Sequence, residues 1–334
     1  MSPGVSTPLV TVGIPIYNSE KWIDELISNL NQQTYPNIEF IFADNASTDR
    51  SYEFIEEQIK SAANMKIFKN KSNLGAIANI NNLMARASGE YFVIWAADDV
   101  KTKNFITACV AALDRKEQNI LCLPHTRMIF GEDSKCIADI NIREKDFSGN
   151  VGMRYSYYLW NLPAISLYGM FRMNAIKELG PIPIMLGGDV AYLQSLMLIG
   201  DIVSSKEATF NFRIRDTWNT REQDLRFFFG DSQFEDRRFP FVQVYQSMFR
   251  FIVTSKISFL AKFICFFFLS IHLLVSKLHR IFLLLMSKLF SRNAGLNLAI
   301  KYYYTFLHSS YFCVLDQTDF RNRIILPSLK YWSL

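Results

Sequence analysis

No acidic residue occurs between Arg237 and Leu315. Residues 237–334 hold 13 Lys and Arg against 2 Asp and Glu, a net of +11, whereas residues 1–236 hold 23 against 29, a net of −6. The overall +5 conceals that division. A basic half seeks an acidic partner, and nucleic acid and anionic lipid are the candidates. Cysteine is scarce too. Cys109, Cys122, Cys136, Cys265 and Cys313 are odd in number, widely spread and form no Cys-x-x-Cys pair. That argues against a zinc site or a disulfide framework and for a reducing compartment. Residues 1–8 lack a charged n-region and an apolar h-region, so they do not read as a signal peptide. No Gly-x-Gly-x-x-Gly follows the first apolar run, and no Gly-x-x-x-x-Gly-Lys-Ser/Thr occurs. A dinucleotide fingerprint and a P-loop are both excluded.

What is present is alternation. Leu9–Ile16 is a β-branched apolar run, and Glu20–Asn31 carries Trp22, Ile23, Leu26, Ile27 and Leu30 on one helical face. Ile38–Ala43 reads as a strand. Ser47 or Thr48 then caps a helix carrying Tyr52, Ile55 and Ile59. Met65–Phe68 and Tyr91–Ala96 read as strands, Leu74–Ala87 and Asn104–Leu113 as helices. Strand–helix alternation predicts a mostly parallel sheet with helices on both faces. The 334 residues, half of them hydrophobic, suffice for one large core or two domains. The segment 120–218 is mixed, with a strand at Tyr168–Phe171, a short helix at Ala175–Leu179 and a helix at Val190–Ile199.

In such sheets ligands bind beyond the carboxyl ends of the strands. Here those ends are polar: Pro15, Tyr17 and Asn18 after the first, Asp44 and Asn45 after the second, Asp98 and Asp99 after the fourth. Two acids at a strand end are costly to bury without a cation. A divalent metal carrying a phosphorylated ligand suits them, since magnesium and manganese prefer hard oxygen donors. The alternative is a solvated Asp-Asp turn. Asp189, after Gly187-Gly188, either caps its helix or serves as a base. His125, after Leu-Cys-Leu-Pro, reads as a strand-end residue rather than a metal ligand.

These pieces resemble family 2 glycosyltransferases with a GT-A fold, over roughly residues 8–218. The resemblance rests on Val-Thr-Val-Gly-Ile-Pro15-Ile-Tyr17-Asn18, on Asp44-Asn45-Ala-Ser47-Thr-Asp49, and on Asn73-Leu-Gly75 with Asn81 and Gly89-Glu90. Ala97-Asp98-Asp99 resembles the family's Asp-x-Asp-type signature, and Gly188-Asp189 falls where the family has its catalytic base. The resemblance implies a GT-A domain over residues 1–236, Rossmann-like, followed by an α-helical, basic, apolar region over 237–334. It implies a nucleotide-sugar donor bound by Pro15, Tyr17, Asn18, Asp44, Asn45, Asn73 and Asp98. Tyr17 would flank the nucleobase, Asp44 would accept a hydrogen bond from it, and Asp98 would contact the ribose or sugar. Asp99 would hold Mn2+ or Mg2+, and Asp189 would take the acceptor's proton, giving inversion. A catalytically silent scaffold on the same fold is the competing reading. Departures are Ala96 where many relatives have Asp, Gly188 where many have Glu, and Arg215 where a His is frequent. No Gln-x-x-Arg-Trp occurs, which favours single addition over polymerisation.

Between Lys262 and Lys277 lie 14 residues without Lys or Arg, fewer than the roughly 20 of a spanning helix. At about 100° per residue, Lys262, Lys277, Arg280, Lys288 and Arg292 fall on one narrow stripe of an otherwise apolar wheel. That pattern suits a helix lying on an anionic membrane surface, with the stripe at the headgroups. Together with the family resemblance, it implies a peripheral protein on the cytoplasmic membrane face, acting on a glycan or lipid-linked acceptor. A tilted spanning helix and a homo-oligomer interface are the alternatives. Nucleic acid is disfavoured, because the apolar surface exceeds what base stacking needs.

Overall fold

The computed structural model describes residues 7–130, 134–142, 144–147, 149–214, 229–230, 240–289 and 312–314, with side chains of the last helix described as far as residue 276. Strands β1 (Val10–Ile16), β2 (Ile38–Asp44), β3 (Met65–Lys69) and β4 (Tyr91–Ile94) form a parallel half-sheet in spatial order β3-β2-β1-β4. Helices α1 (Ile23–Asn31), α2 (Ser51–Ile59) and α3 (Ala76–Arg86) connect them. The period of 2 along each strand feeds a core on either face. Phe40, Phe42, Tyr91 and Val93 face one core, with Val10, Val12, Ile14 and Ile16 of β1. Ile41, Ala43, Phe92 and Ile94 face the other.

The second half is mixed. Its elements are β5 (Val100–Lys101), α4 (Phe105–Leu113), β6 (Asn119–Phe130), β7 (Lys135–Ile140), α5 (Val151–Asn161), β8 (Met170–Arg172), α6 (Met173–Leu179), α7 (Gly188–Leu196) and β9 (Asp201–Ile214). Strand β8 inserts antiparallel between β4 and β6, β9 runs parallel to β6, and β7 runs antiparallel to β6. β10 (Phe312–Val314) pairs antiparallel with β7. Strands β6 and β9 are long, and the sequence pattern did not reveal them. Pro124 interrupts the apolar run of β6, and Ser204 to Glu207 interrupt that of β9. His125 is not at a strand end but within β6, its Nε2 3.1 Å from Asp139 Oδ1. Helix α2 begins after Arg50, so neither Ser47 nor Thr48 caps it.

Helices α8 (Pro240–Thr254) and α9 (Phe259–Leu289) follow. Tyr245, Met248 and Ile252 of α8, and Cys265 and Leu269 of α9, belong to the same hydrophobic cluster as Phe92 and Leu196. The charge break at residue 236 is therefore not a break in the core. Of the basic stripe, Lys262 is half-buried and its Nζ donates to Val253 O at 2.7 Å, closing the end of α8. The side chains of Lys277, Arg280 and Lys288, and the whole of Arg292 and Arg215, lie outside the described residues.

Candidate active site

The chain proceeds from β1 to β2 and β3 on one side, then crosses to β4 on the other. The carboxyl end of β1 is thus a topological switch point, where a crevice forms. The last β1–β4 register pair is Gly13↔Ile94, while β1 continues beside β2 to Ile16↔Asp44. Pro15, half-buried, lies in that extension. Tyr17, just past the end of β1, is a large ring 41% exposed.

Asn18 takes a left-handed φ of 49°, which asparagine tolerates better than most residues. Its amide donates to Ser47 Oγ at 3.0 Å, and its Oδ1 accepts from Thr48 N at 2.9 Å. Asn45 is similarly engaged. Its Oδ1 accepts from Leu74 N at 2.9 Å and Asn70 Nδ2 at 3.1 Å, while its Nδ2 donates to Asn73 Oδ1 at 2.8 Å. Asn73 Oδ1 also accepts from Gly75 N at 2.9 Å. The amide oxygens of Asn18, Asn45 and Asn73 therefore shape the loops of the site.

Asp44 differs. It is fully buried at the end of β2, and its Oδ2 accepts from Ser47 N at 3.2 Å. Lys69 Nζ lies 4.0 Å from the same oxygen. Oδ1 has no hydrogen-bond partner among the described residues. A buried acceptor left unmade costs about 1–3 kcal/mol, more when charged, so this oxygen suits an N–H donor from a ligand.

Asp98 and Asp99 are buried in the turn after β4. Trp95 Nε1 donates to Asp99 O at 3.2 Å, which folds the turn on itself. Strand β9 then clamps it. Arg213 N donates to Asp99 Oδ1 at 3.2 Å, and Arg213 Nε donates to Asp98 O at 3.0 Å. The guanidinium continues to Glu25, at 3.0 and 3.2 Å to its two oxygens, over the Trp22 ring. Behind the turn Lys101 is buried, its Nζ 4.0 Å from the Phe210 ring centroid and 4.8 Å from that of Trp95. Burial pushes the Lys101 pKa down to about 8, against the opposing pull of Asp99. Arg213 and Lys101 escaped the sequence reading, which singled out Arg215 instead.

Paired carboxylates supply the hard oxygen donors that Mg2+ or Mn2+ requires. Among the described residues no group of three or more His, Cys, Asp or Glu could hold a metal. A cation held here would take its remaining ligands from a phosphorylated substrate and water. Asp99, with Asp98 beside it, would hold it.

Asp189 lies in the first turn of α7, and the cap position belongs to Gly187, at φ 74°. Burial raises the Asp189 pKa above the usual range, while the backbone amides of Asp189 and Val190 oppose the rise. A half-buried carboxylate whose pKa is raised this way suits a general base. Asn81 fixes the approach to α7, exchanging two 2.9 Å bonds with Ile182 N and O. The other side of α7 meets the 3-10 turn Ala164–Tyr168, and the Tyr168 ring stands 6.3 Å from Phe212, next to Arg213.

The switch point and its strand-end carboxylates put the candidate ligand site at the carboxyl edge of an α/β sheet. The chain belongs to glycosyl transferase family 2, whose sequence profile matches residues 11–180, just over half of it. An uncharacterized glycosyltransferase of Haemophilus influenzae is 39% identical over 110 residues, 33% of this chain and 34% of that protein. Abequosyltransferase RfbV of Salmonella typhimurium is 32% identical over 118 residues, 34% of this chain and 35% of that one. The matched stretch thus spans about a third of these curated relatives. The crystal structure of Staphylococcus aureus TarS 1-349 in complex with UDP-GlcNAc aligns with a TM-score of 0.58 at 18% identity, over 78% of this chain and 71% of that one. That likeness establishes the GT-A type of fold.

Proposed function

We propose that this chain is an inverting, metal-dependent glycosyltransferase. It moves a sugar from a nucleoside diphosphate donor, a UDP-sugar, to a hydroxyl of a lipid-linked or cell-envelope glycan. The observation that carries the donor reading is the buried Asp44 Oδ1, an acceptor without a partner among the described residues at the end of β2. Uracil has one N–H on its pairing edge and would satisfy it, with Tyr17 flanking the ring. The relative TarS, a poly(ribitol-phosphate) beta-N-acetylglucosaminyltransferase crystallised with UDP-GlcNAc, supports both the uridine donor and an envelope acceptor.

Asp98 would face the ribose or the transferred sugar. A cation held by Asp99 would stabilise the charge that develops on the leaving diphosphate. Asp189 would take the proton from the acceptor hydroxyl as its oxygen bonds to the anomeric carbon. The bond from that carbon to the diphosphate oxygen breaks at the same time, and its electron pair leaves with the nucleotide. Attack opposite the leaving group inverts the anomeric centre. Arg213 and Glu25 keep the Asp98–Asp99 turn in place throughout.

A donor screen that measures nucleotide release from several sugar nucleotides tests the proposal. Release from a UDP-sugar with Mn2+, and not with EDTA, is the expected result. Replacing Asp44 with asparagine should weaken UDP binding about 10- to 100-fold, the scale of a hydrogen bond to a charged group. Unchanged affinity by calorimetry would remove Asp44 from the base site.

A further inference from the structure

We propose that α8 and α9 form a docking face for an anionic lipid bilayer and lie in its interface rather than across it. The two helices are divided lengthwise. Their inner side is fixed to the domain: Cys265 and Leu269 are in the core, and Ile264 packs so tightly on α5 that a Cβ at Gly152 would come within 2.7 Å of it. The Trp160 ring stands 4.3 Å from that of His272, and Tyr245 Oη donates to Ser276 Oγ at 3.5 Å. Helix α9 thus rests on the domain from Ile264 to Ser276. Their outer side exposes Phe249, Phe259, Leu260, Phe263, Phe267 and Leu274, with Phe259 87% and Leu260 67% exposed. A contiguous aromatic-aliphatic face of this kind is rare on a surface meant only for water.

Charge names the occupant. Within residues 240–276 the cations are Arg250, Lys256 and Lys262, and there is no acid. Arg250 and Lys256 are exposed. Apolar rings flanked by cations match acyl chains below anionic headgroups. A second copy docked by the same face would set these cations against each other. The segment Phe259–Ser276, mean hydropathy 2.1, has the length and composition to cross a bilayer. Crossing, however, would pull Cys265 and Leu269 out of the core that holds them. An interfacial position keeps the core intact and wets only the cations.

The docking face adjoins the proposed site of sugar transfer. A Cβ at Gly187 would come within 2.8 Å of Val244 Cγ2, so α8 leans on the turn that starts the helix of Asp189. On the glycosyltransferase reading, the base then works one helix away from the bilayer, where a lipid-linked acceptor would be presented.

The test is co-sedimentation of the full chain with phosphatidylcholine vesicles, with and without phosphatidylglycerol, at low and high salt. Binding to the anionic vesicles should be at least about tenfold tighter than to phosphatidylcholine alone and should fall with salt. The double variant Phe259→Ser, Phe263→Ser changes two exposed side chains. It should lose about tenfold or more in vesicle affinity while its UDP affinity is unchanged. A protein that stays in solution with both vesicle types and forms a stable dimer would overturn the proposal in favour of an interface between copies. Equal, salt-insensitive binding that survives an alkaline wash would overturn it in favour of a spanning helix. Vesicle binding by a chain that binds no nucleotide would leave the docking face standing and remove the sugar-transfer reading instead.

Discussion

Asp189→Asn will lower turnover by roughly 100-fold or more, the usual scale for losing a general base, while UDP-sugar affinity changes little. The variant will also be at least as stable as the parent at neutral pH. Burial raises the pKa of Asp189, so the folded protein holds that proton more firmly than the unfolded chain does. The folded state is then penalised as pH rises past the unfolded value of about 3.9, and the penalty is complete above the folded value. Asparagine removes the desolvated charge and keeps an oxygen for the helix amides. A residue that only stabilised the helix start would behave in the opposite way, with turnover nearly intact and the thermal midpoint lowered. The parent enzyme should also lose activity on the acid side at a pH above the ordinary aspartate range, because the base must be ionised to work. Turnover against pH, with thermal unfolding of both proteins at pH 7, separates the two roles.

Asp99→Asn will abolish the metal-dependent part of nucleotide binding. With no three-residue ligand group among the described residues, a single carboxylate carries a large share of any cation's protein contacts. Asparagine keeps the size of the side chain and can still accept the 3.2 Å bond from Arg213 N, so the turn should survive. The change is then electrostatic: Lys101 and Arg213 remain beside the site with one less negative charge to balance them. Calorimetric titration of UDP into the variant, with and without Mn2+, checks this. Undiminished manganese-dependent affinity would move the metal elsewhere.

The first half of the fold was legible because its strands carry their pattern locally. β1, β2 and β4 are largely apolar runs, interrupted only by Thr11 and Glu39, that end in polar residues, and buried parallel strands read that way. The second half was not, because β6 and β9 owe their stability to pairing with each other over eleven registered positions rather than to their own composition. The same distinction applies to the site. Asp44, Asp98, Asp99 and Asp189 stand at element ends and could be picked out in the sequence. Arg213 could not, since its bonds reach Asp98, Asp99 and Glu25, residues 115, 114 and 188 positions away. The tail was half legible. Its apolar wheel was plain, but only the fold divides that wheel into a side buried on α5 and α8 and a side left exposed. Asp189 was readable as a cap or a base; Gly187 takes the cap position, and Asp189 meets the helix amides from the first turn.

The most direct measurement is isothermal titration of UDP into the full chain in EDTA and then in Mn2+. The expected result is weak or absent binding in EDTA and at least about tenfold tighter binding with the metal, as a diphosphate-bridged cation requires. Equal affinity under both conditions would contradict a metal-dependent donor site, and no binding under either would contradict a uridine nucleotide donor.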